Sequence, residues 1–220
     1  MRSAVWFKSD EASIIIDAGP DFRMQVLREK VMDVDAIFMT HEHRDHIAGL
    51  DDIRIYNYRN EGALDIYCQK RVENHIREAF AYIFHPNPYP GIPSINFCEI
   101  NHAPFQVKGI EVIPIPVKHY KLEVLGYRFG PFAYITDVSE IPESSFNRLE
   151  GVRTVVLGSL RKKPHIAHFS LDEAIEAAKR IGAEETYFIH MSHDMGLHNQ
   201  VEEELPEGMH LSYDGLTLHF

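Results

Sequence analysis

His41-Glu42-His43-Arg44-Asp45-His46 gathers three imidazoles and two carboxylates into six consecutive residues. The segment follows an apolar run, 35–39, and leads into an amphipathic stretch that starts near Ile47. His41 and His43 stand two apart in an extended chain, so their side chains point to one side and can chelate one metal ion. Asp45 and His46 fall where the chain turns toward a helix, project differently, and can serve a second ion. Position four after His41 is Asp45, so the pattern is not H-E-x-x-H and the helical zincin geometry is excluded.

Two ions need more than four ligands, so partners are expected at the ends of other strands. His119 follows the apolar stretch 112–117, Asp137 ends the run 132–136, and His190 ends 186–189. Each alone reads equally well as a rim residue with its hydrogen bonds satisfied. Together with the first motif they are what a dinuclear site requires, and a carboxylate such as Asp137 can bridge two ions because each oxygen can bind one.

The elements that must position these groups are legible as short apolar runs rich in Ile, Val, Phe and Tyr, bounded by Gly, Pro, Asp or Asn. Strands are expected at 13–17, 36–40, 64–68, 109–114, 124–129, 132–136, 154–157 and 186–190. Helical spacing marks 21–30, 71–84 and 171–181; the last has Ser170 as N-cap and Gly182 as terminator. The segment 85–93 holds four prolines and is expected to be irregular. The tail, 211–213 and 216–219 around Asp214-Gly215, predicts a tight hairpin. Many strands mixed with a few helices give an α/β layered domain, taken as one unit over 1–220.

Composition excludes several classes. The 220 residues carry 22 basic and 33 acidic side chains, a net charge of −11, which disfavours a protein that grips a long nucleic acid through its phosphates. Cys68 and Cys98 are the only cysteines, too few for a disulfide framework, and read as buried structural thiols in a reducing cytoplasm. No apolar run reaches the length of a membrane span. Histidine is abundant instead, at fourteen residues.

The chain resembles the metallo-β-lactamase superfamily of hydrolases over essentially its whole length. Ile16-Asp17-Ala18-Gly19 is similar to the first family motif, His41 to His46 to the second, His119 to the third, Asp137 to the fourth and His190 to the fifth. The segments 19–23, 48–54 and 164–174 look like the subgroup of phosphoribosyl cyclic-phosphate phosphodiesterases, with ribonuclease Z as a more distant cousin. The resemblance implies an αββα sandwich with metals at one rim. It implies that His41, His43 and His119 hold one ion, that Asp45, His46 and His190 hold the other, and that Asp137 bridges them. The cofactors expected are two divalent ions, Zn²⁺ or Mn²⁺. The front departs from the subgroup pattern, which begins with a further strand and a cysteine cluster; the chain therefore reads as lacking that first strand. His193 occupies a structural-zinc position of the family without N-terminal cysteine partners.

A dinuclear site generates hydroxide near neutral pH and neutralises charge on a phosphoryl oxygen. Asp45 is a candidate both to ligate and to accept a hydrogen bond from the nucleophilic water. His168 is the candidate leaving-group acid or phosphate donor, and His165 a phosphate contact or a surface residue. Arg161, Lys162 and Lys163 read as a solvated loop or as an electrostatic guide for an anion, and Asp17 as an organiser of the loop beneath the metals. The expected activity is phosphodiester hydrolysis on small cyclic or nucleotide-like substrates, small and anionic, with no membrane partner and with a homodimer left open. The alternatives are a tRNA 3′-processing endonuclease, a thioester hydrolase of the same superfamily, and a non-enzymatic metal-binding protein.

Overall fold

β-Branched and aromatic runs form the strands, and the Gly, Pro and Asp residues between them end each one. The structure, a computed structural model, describes residues 1–86 and 90–220. The chain divides into two units, Met1–Asn101 with Lys108–Ile110, and His102–Val107 with Glu111–Phe220.

The first unit comprises β1 (Val5–Lys8), β2 (Ser13–Ile16), α1 (Phe22–Arg28), β3 (Ala36–Phe38), α2 (Arg44–Ile47), α3 (Arg54–Arg59), β4 (Leu64–Cys68), α4 (Lys70–Ala79) and β5 (Ile95–Glu99). Among the described residues these strands make a five-stranded sheet in the order β1-β2-β3-β4-β5. β1 runs antiparallel to β2, and the rest are parallel neighbours. Parallel β2 and β3 are buried along their whole lengths, as strands covered on both faces must be. Ile16 pairs with Phe38, so both strands end at one edge and release Asp17 and Met39-Thr40-His41 side by side.

The second unit comprises β6 (Phe105–Val107), β7 (Ile110–His119), β8 (Leu122–Phe129), β9 (Phe132–Ile135), α5 (Glu143–Leu149), β10 (Thr154–Gly158), α6 (Leu171–Ile181), β11 (Glu185–Ile189), α7 (His198–Glu202) and β12 (Met209–Leu211). The sheet order is β12-β11-β10-β9-β8-β7-β6. β7, β8 and β9 are successive antiparallel neighbours, so β7 and β9 share a direction, and β9, β10, β11 and β12 are parallel. The carboxyl ends of β7, β9, β10 and β11 therefore lie on one edge. Leu171, Ala174, Ala177 and Ala178 turn the buried face of α6 onto a core with Val155, Leu157 and Phe188. Ser170 and Glu173 form a reciprocal capping box, and Gly182 ends the helix in the left-handed region, φ 72°.

Several expectations need correction. The tail forms no hairpin: β12 pairs in parallel with β11, and Asp214-Gly215 makes a turn with no strand after it. Met209–Leu211 takes its partner from β11 instead, Leu211 opposite Phe188. The helix expected over 71–84 stops at Ala79 and continues as a 3-10 turn, Ala81–Phe84. Of the proline-rich segment 85–93, residues 87–89 lie outside the described residues, and the others are in neither helix nor strand. Cys68 is buried and burial pushes its thiol up to about 12, but Cys98 is only half-buried.

Candidate metal centre

In the first unit the donors are fixed by a network rooted in Asp17. Its carboxylate is fully buried and accepts from the Thr40 backbone N–H at 2.9 Å and from the Thr40 hydroxyl. It lies 2.7 Å from His46 Nδ1, which assigns the proton to Nδ1 and the lone pair to Nε2. Thr40 Oγ1 lies 2.9 Å from His41 Nδ1 and orients that ring in the same way. Asp17 thus organises the loop, as expected. The loop can approach because Gly19 has no side chain: a Cβ there would stand 2.2 Å from the Asp45 carbonyl oxygen.

His41 Nε2 and His43 Nδ1 are 3.0 Å apart, and the His41 ring centroid is 4.2 Å from that of His46. Two ring nitrogens bound to one ion at about 2.0–2.1 Å each stand about 3 Å apart, so this donor set fits a metal. His43 opens α2 as its N-cap, which makes His46 buried while Asp45 stays half-exposed, 3.7 Å from His46 Nε2. Glu42, inside the motif but not singled out from the sequence, is gripped by both its oxygens on Arg71 Nη1 at 2.5 and 2.7 Å.

In the second unit the donors come from separate strand ends. Asp137 and His190 both take left-handed backbone, φ 48° and 66°, two residues and one residue beyond paired strands; Asp17 does so one residue beyond β2 in the first unit, φ 65°. Non-glycine residues in that region cost free energy, and such positions gather at functional sites. Gly158 lies between them in the register, where an added Cβ would stand 3.1 Å from the Asp137 backbone nitrogen.

The two oxygens of Asp137 face different imidazoles: Oδ1 lies 3.0 Å from His190 Nε2, and Oδ2 lies 3.9 Å from His119 Nε2. Each carboxylate oxygen thus has its own histidine beside it. His119 Nδ1 donates to the Ala167 carbonyl at 2.6 Å, leaving Nε2 toward Asp137.

His168 joins this group. One donor atom each from Asp137, His168 and His190 lies within 4.8 Å of the others, a set that could hold an ion. The His168 ring stacks on His190 at 5.1 Å and 18°, and sits 4.5 Å from His119 and 5.2 Å from His165. Burial pulls its pKa down to about 4, against the opposing pull of the Asp137 carboxylate, and keeps the ring neutral at pH 7. His165 is half-buried and accepts from the Ala167 N–H through Nδ1. His193 lies apart: its side chain is 93% exposed, 3.5 Å from Asp194. The sequence missed Thr40, Arg71 and the Ala167 carbonyl, which act through donors rather than as donors; only Thr40, adjacent to the motif, carried a local signal.

The beta-lactamase superfamily domain model matches residues 12–191. An octanoyltransferase from Porphyromonas gingivalis (strain ATCC BAA-308 / W83) is 39% identical over 205 residues, covering 92% of this chain and 41% of that protein. The chain thus spans well under half the length of that curated relative. A solved structure described as a new diphosphatase from the PhnP family superposes with a TM-score of 0.92 at 38% identity, covering all of this chain and 84% of that one. Human tRNase Z, short form, shares the fold at a TM-score of 0.69 and 15% identity, over 98% of this chain and 91% of that one.

Proposed function

The chain belongs to the beta-lactamase superfamily, and on that premise we propose that it is a metal-dependent hydrolase of phosphoric esters. Its substrate in this reading is a small anionic phosphodiester, cyclic or nucleotide-like. The observation that carries the reading is the second unit's rim, where Asp137 turns one oxygen to His190 and the other to His119 beneath a loop bearing His165 and His168. Support comes from the PhnP-family diphosphatase, similar at 38% identity across the whole of this chain.

The proposed ligands are His41, His43, Asp45 and His46 in the first unit and His119, Asp137 and His190 in the second, for two divalent ions. When bound, such ions supply Lewis acidity toward a phosphoryl oxygen and activate water near neutral pH. Asp45, half-exposed, accepts the hydrogen bond that orients the water. His168 donates its single N–H to a phosphate or leaving-group oxygen, a task that a neutral imidazole performs. His165 adds a second donor one turn of the loop away. A phosphate here sits outside the carboxyl ends of the parallel strands, where open α/β sheets take their ligands.

The octanoyltransferase name belongs to a protein of which more than half lies outside the match, so acyl transfer is tested rather than assumed. Zinc- or manganese-loaded protein should be offered a cyclic ribose phosphate, a 2′,3′-cyclic nucleotide, bis(p-nitrophenyl) phosphate, a precursor tRNA and a glutathione thioester. Turnover of the small phosphodiesters, abolished by a chelator and restored by metal, is expected. Turnover of the thioester or the tRNA alone would replace the reading with the corresponding alternative.

A further inference from the structure

The three basic residues that open the histidine-bearing loop have separate fates. Lys162 pairs with Glu204 at 2.5 Å, and Lys163 is exposed. Arg161 turns back on its own loop. Its Nε donates to the Lys163 carbonyl at 3.2 Å, its Nη2 donates to the Pro164 carbonyl at 2.9 Å, and its Nη1 lies 3.7 Å from Asp194 Oδ2. The guanidinium is thus turned onto two carbonyls of its own loop and faces a carboxylate.

The base of the loop is closed by backbone bonds. Leu160 N–H donates to the Phe169 carbonyl at 2.9 Å, and Leu171 N–H to the Arg161 carbonyl at 2.9 Å. The loop's far side touches the candidate centre twice, through the Ala167 carbonyl on His119 Nδ1 and through the His168 ring on His190. The stretch 163–166 between them is neither helix nor strand. The two carbonyls that Arg161 holds, those of Lys163 and Pro164, fall on that stretch.

We propose that Arg161 is a positioning residue: it braces the loop 161–169 so that the Ala167 carbonyl and the His168 ring keep their places against His119 and His190. Asp194 holds the far side of the guanidinium. The planar fork of arginine reaches two carbonyls and a carboxylate at once; a lysine ammonium keeps the charge but lacks that fixed fork. The activity arm of the test rests on the phosphodiesterase reading, and the spectroscopic arm does not.

Arg161→Lys, Arg161→Ala, His168→Ala and the Arg161→Ala/His168→Ala double variant are compared with wild type. On a cyclic ribose phosphate both Arg161 variants should lose kcat by roughly 10–100-fold, the usual cost of removing an outer partner. Their rates on bis(p-nitrophenyl) phosphate should fall less, since that loss reports only the support of His119. The double variant should be slower than His168→Ala by less than the full Arg161→Ala loss, because the His168 placement is removed only once. Imidazole ¹⁵N–¹H spectra should show the His168 and His119 signals moved in both Arg161 variants, with the His41 signal unmoved.

Wild-type rate and spectrum in Arg161→Lys would make Arg161 a charge guide and overturn the brace. Losses that add fully to those of His168→Ala would place its action elsewhere and overturn it too. If wild type turns over no phosphodiester, the hydrolase reading fails and the imidazole spectra alone decide the brace. If Arg161→Ala does not fold, Arg161→Lys and Asp194→Asn decide it, with a smaller shift of the same signals expected for Asp194→Asn and no shift in either contradicting it.

Discussion

In the first unit His41, His43, Asp45 and His46 are neighbours along the chain, and a buried carboxylate, Asp17, ties two of their rings into one hydrogen-bonded network. In the second unit His119, Asp137, His168 and His190 come from four separate stretches and meet because β7, β9, β10 and β11 end on one edge. The first arrangement is local and held by polar bonds. The second depends on strand register, on left-handed backbone at Asp137 and His190, and on a loop packed over them. Damage should therefore look different in the two: graded loss of metal affinity in the first, and loss of geometry or of substrate handling in the second.

The largest effect is expected on the second side. His168→Ala should slow hydrolysis of a ribose cyclic phosphate by roughly 10²–10³, the range for losing one positioned hydrogen-bond donor to developing negative charge. Bis(p-nitrophenyl) phosphate, whose leaving group delocalises its charge and needs little hydrogen bonding, should be largely spared. Equal losses on both substrates, confined to KM, would reduce His168 to uniform phosphate binding.

On the first side Asp17→Asn keeps the shape of the side chain and removes the charge that orients His46. Metal affinity measured by competition with a chelator should fall about 10–100-fold, with the melting profile of the apo protein much less affected. An unchanged affinity would mean that the polar network is ornamental and the first unit is held by packing alone. Back in the second unit, Gly158→Ala inserts a Cβ 3.1 Å from the Asp137 nitrogen. It should cost about 1–3 kcal/mol in chemical denaturation, and retention of both stability and activity would show that the edge has slack. The smallest effect is Ser170→Ala, which removes the capping box of α6. About 1 kcal/mol is expected, seen as a fall in Tm of roughly 2–4 °C. A larger loss of activity than of stability would show that the cap also steadies the histidine loop ahead of it.

The same contrast explains what could be read from the sequence. The motif at 41–46 was legible because its donors are contiguous and their directions follow from local geometry. The buried strands β4, β9 and β10 and the helix α6 were legible because apolar runs with clear punctuation leave few alternatives; α6 even announced both of its ends. Asp137, His119 and His190 could be singled out only as polar residues at strand ends, since what brings them together is register over 71 positions, between His119 and His190. Edge strands β1, β5 and β6 were not anticipated, because half-buried edges alternate weakly, β1 and β5 carry a charge, and β6 is only three residues long. β12 was misread as half of a hairpin: Asp214-Gly215 is a good turn, but parallel pairing with β11 claims Met209–Leu211 first. Arg161 looked like surface charge because sequence shows a residue's type and not which carbonyls it faces.

The central claim, two divalent ions with Asp137 as the shared ligand, is tested most directly by metal analysis of wild type and Asp137→Ala after loading with Zn²⁺ or Mn²⁺ and removal of excess. Wild type should retain two ions per chain, and Asp137→Ala should lose one or both, with hydrolysis at background. Two ions and full activity in Asp137→Ala, or no retained metal in wild type, would contradict it.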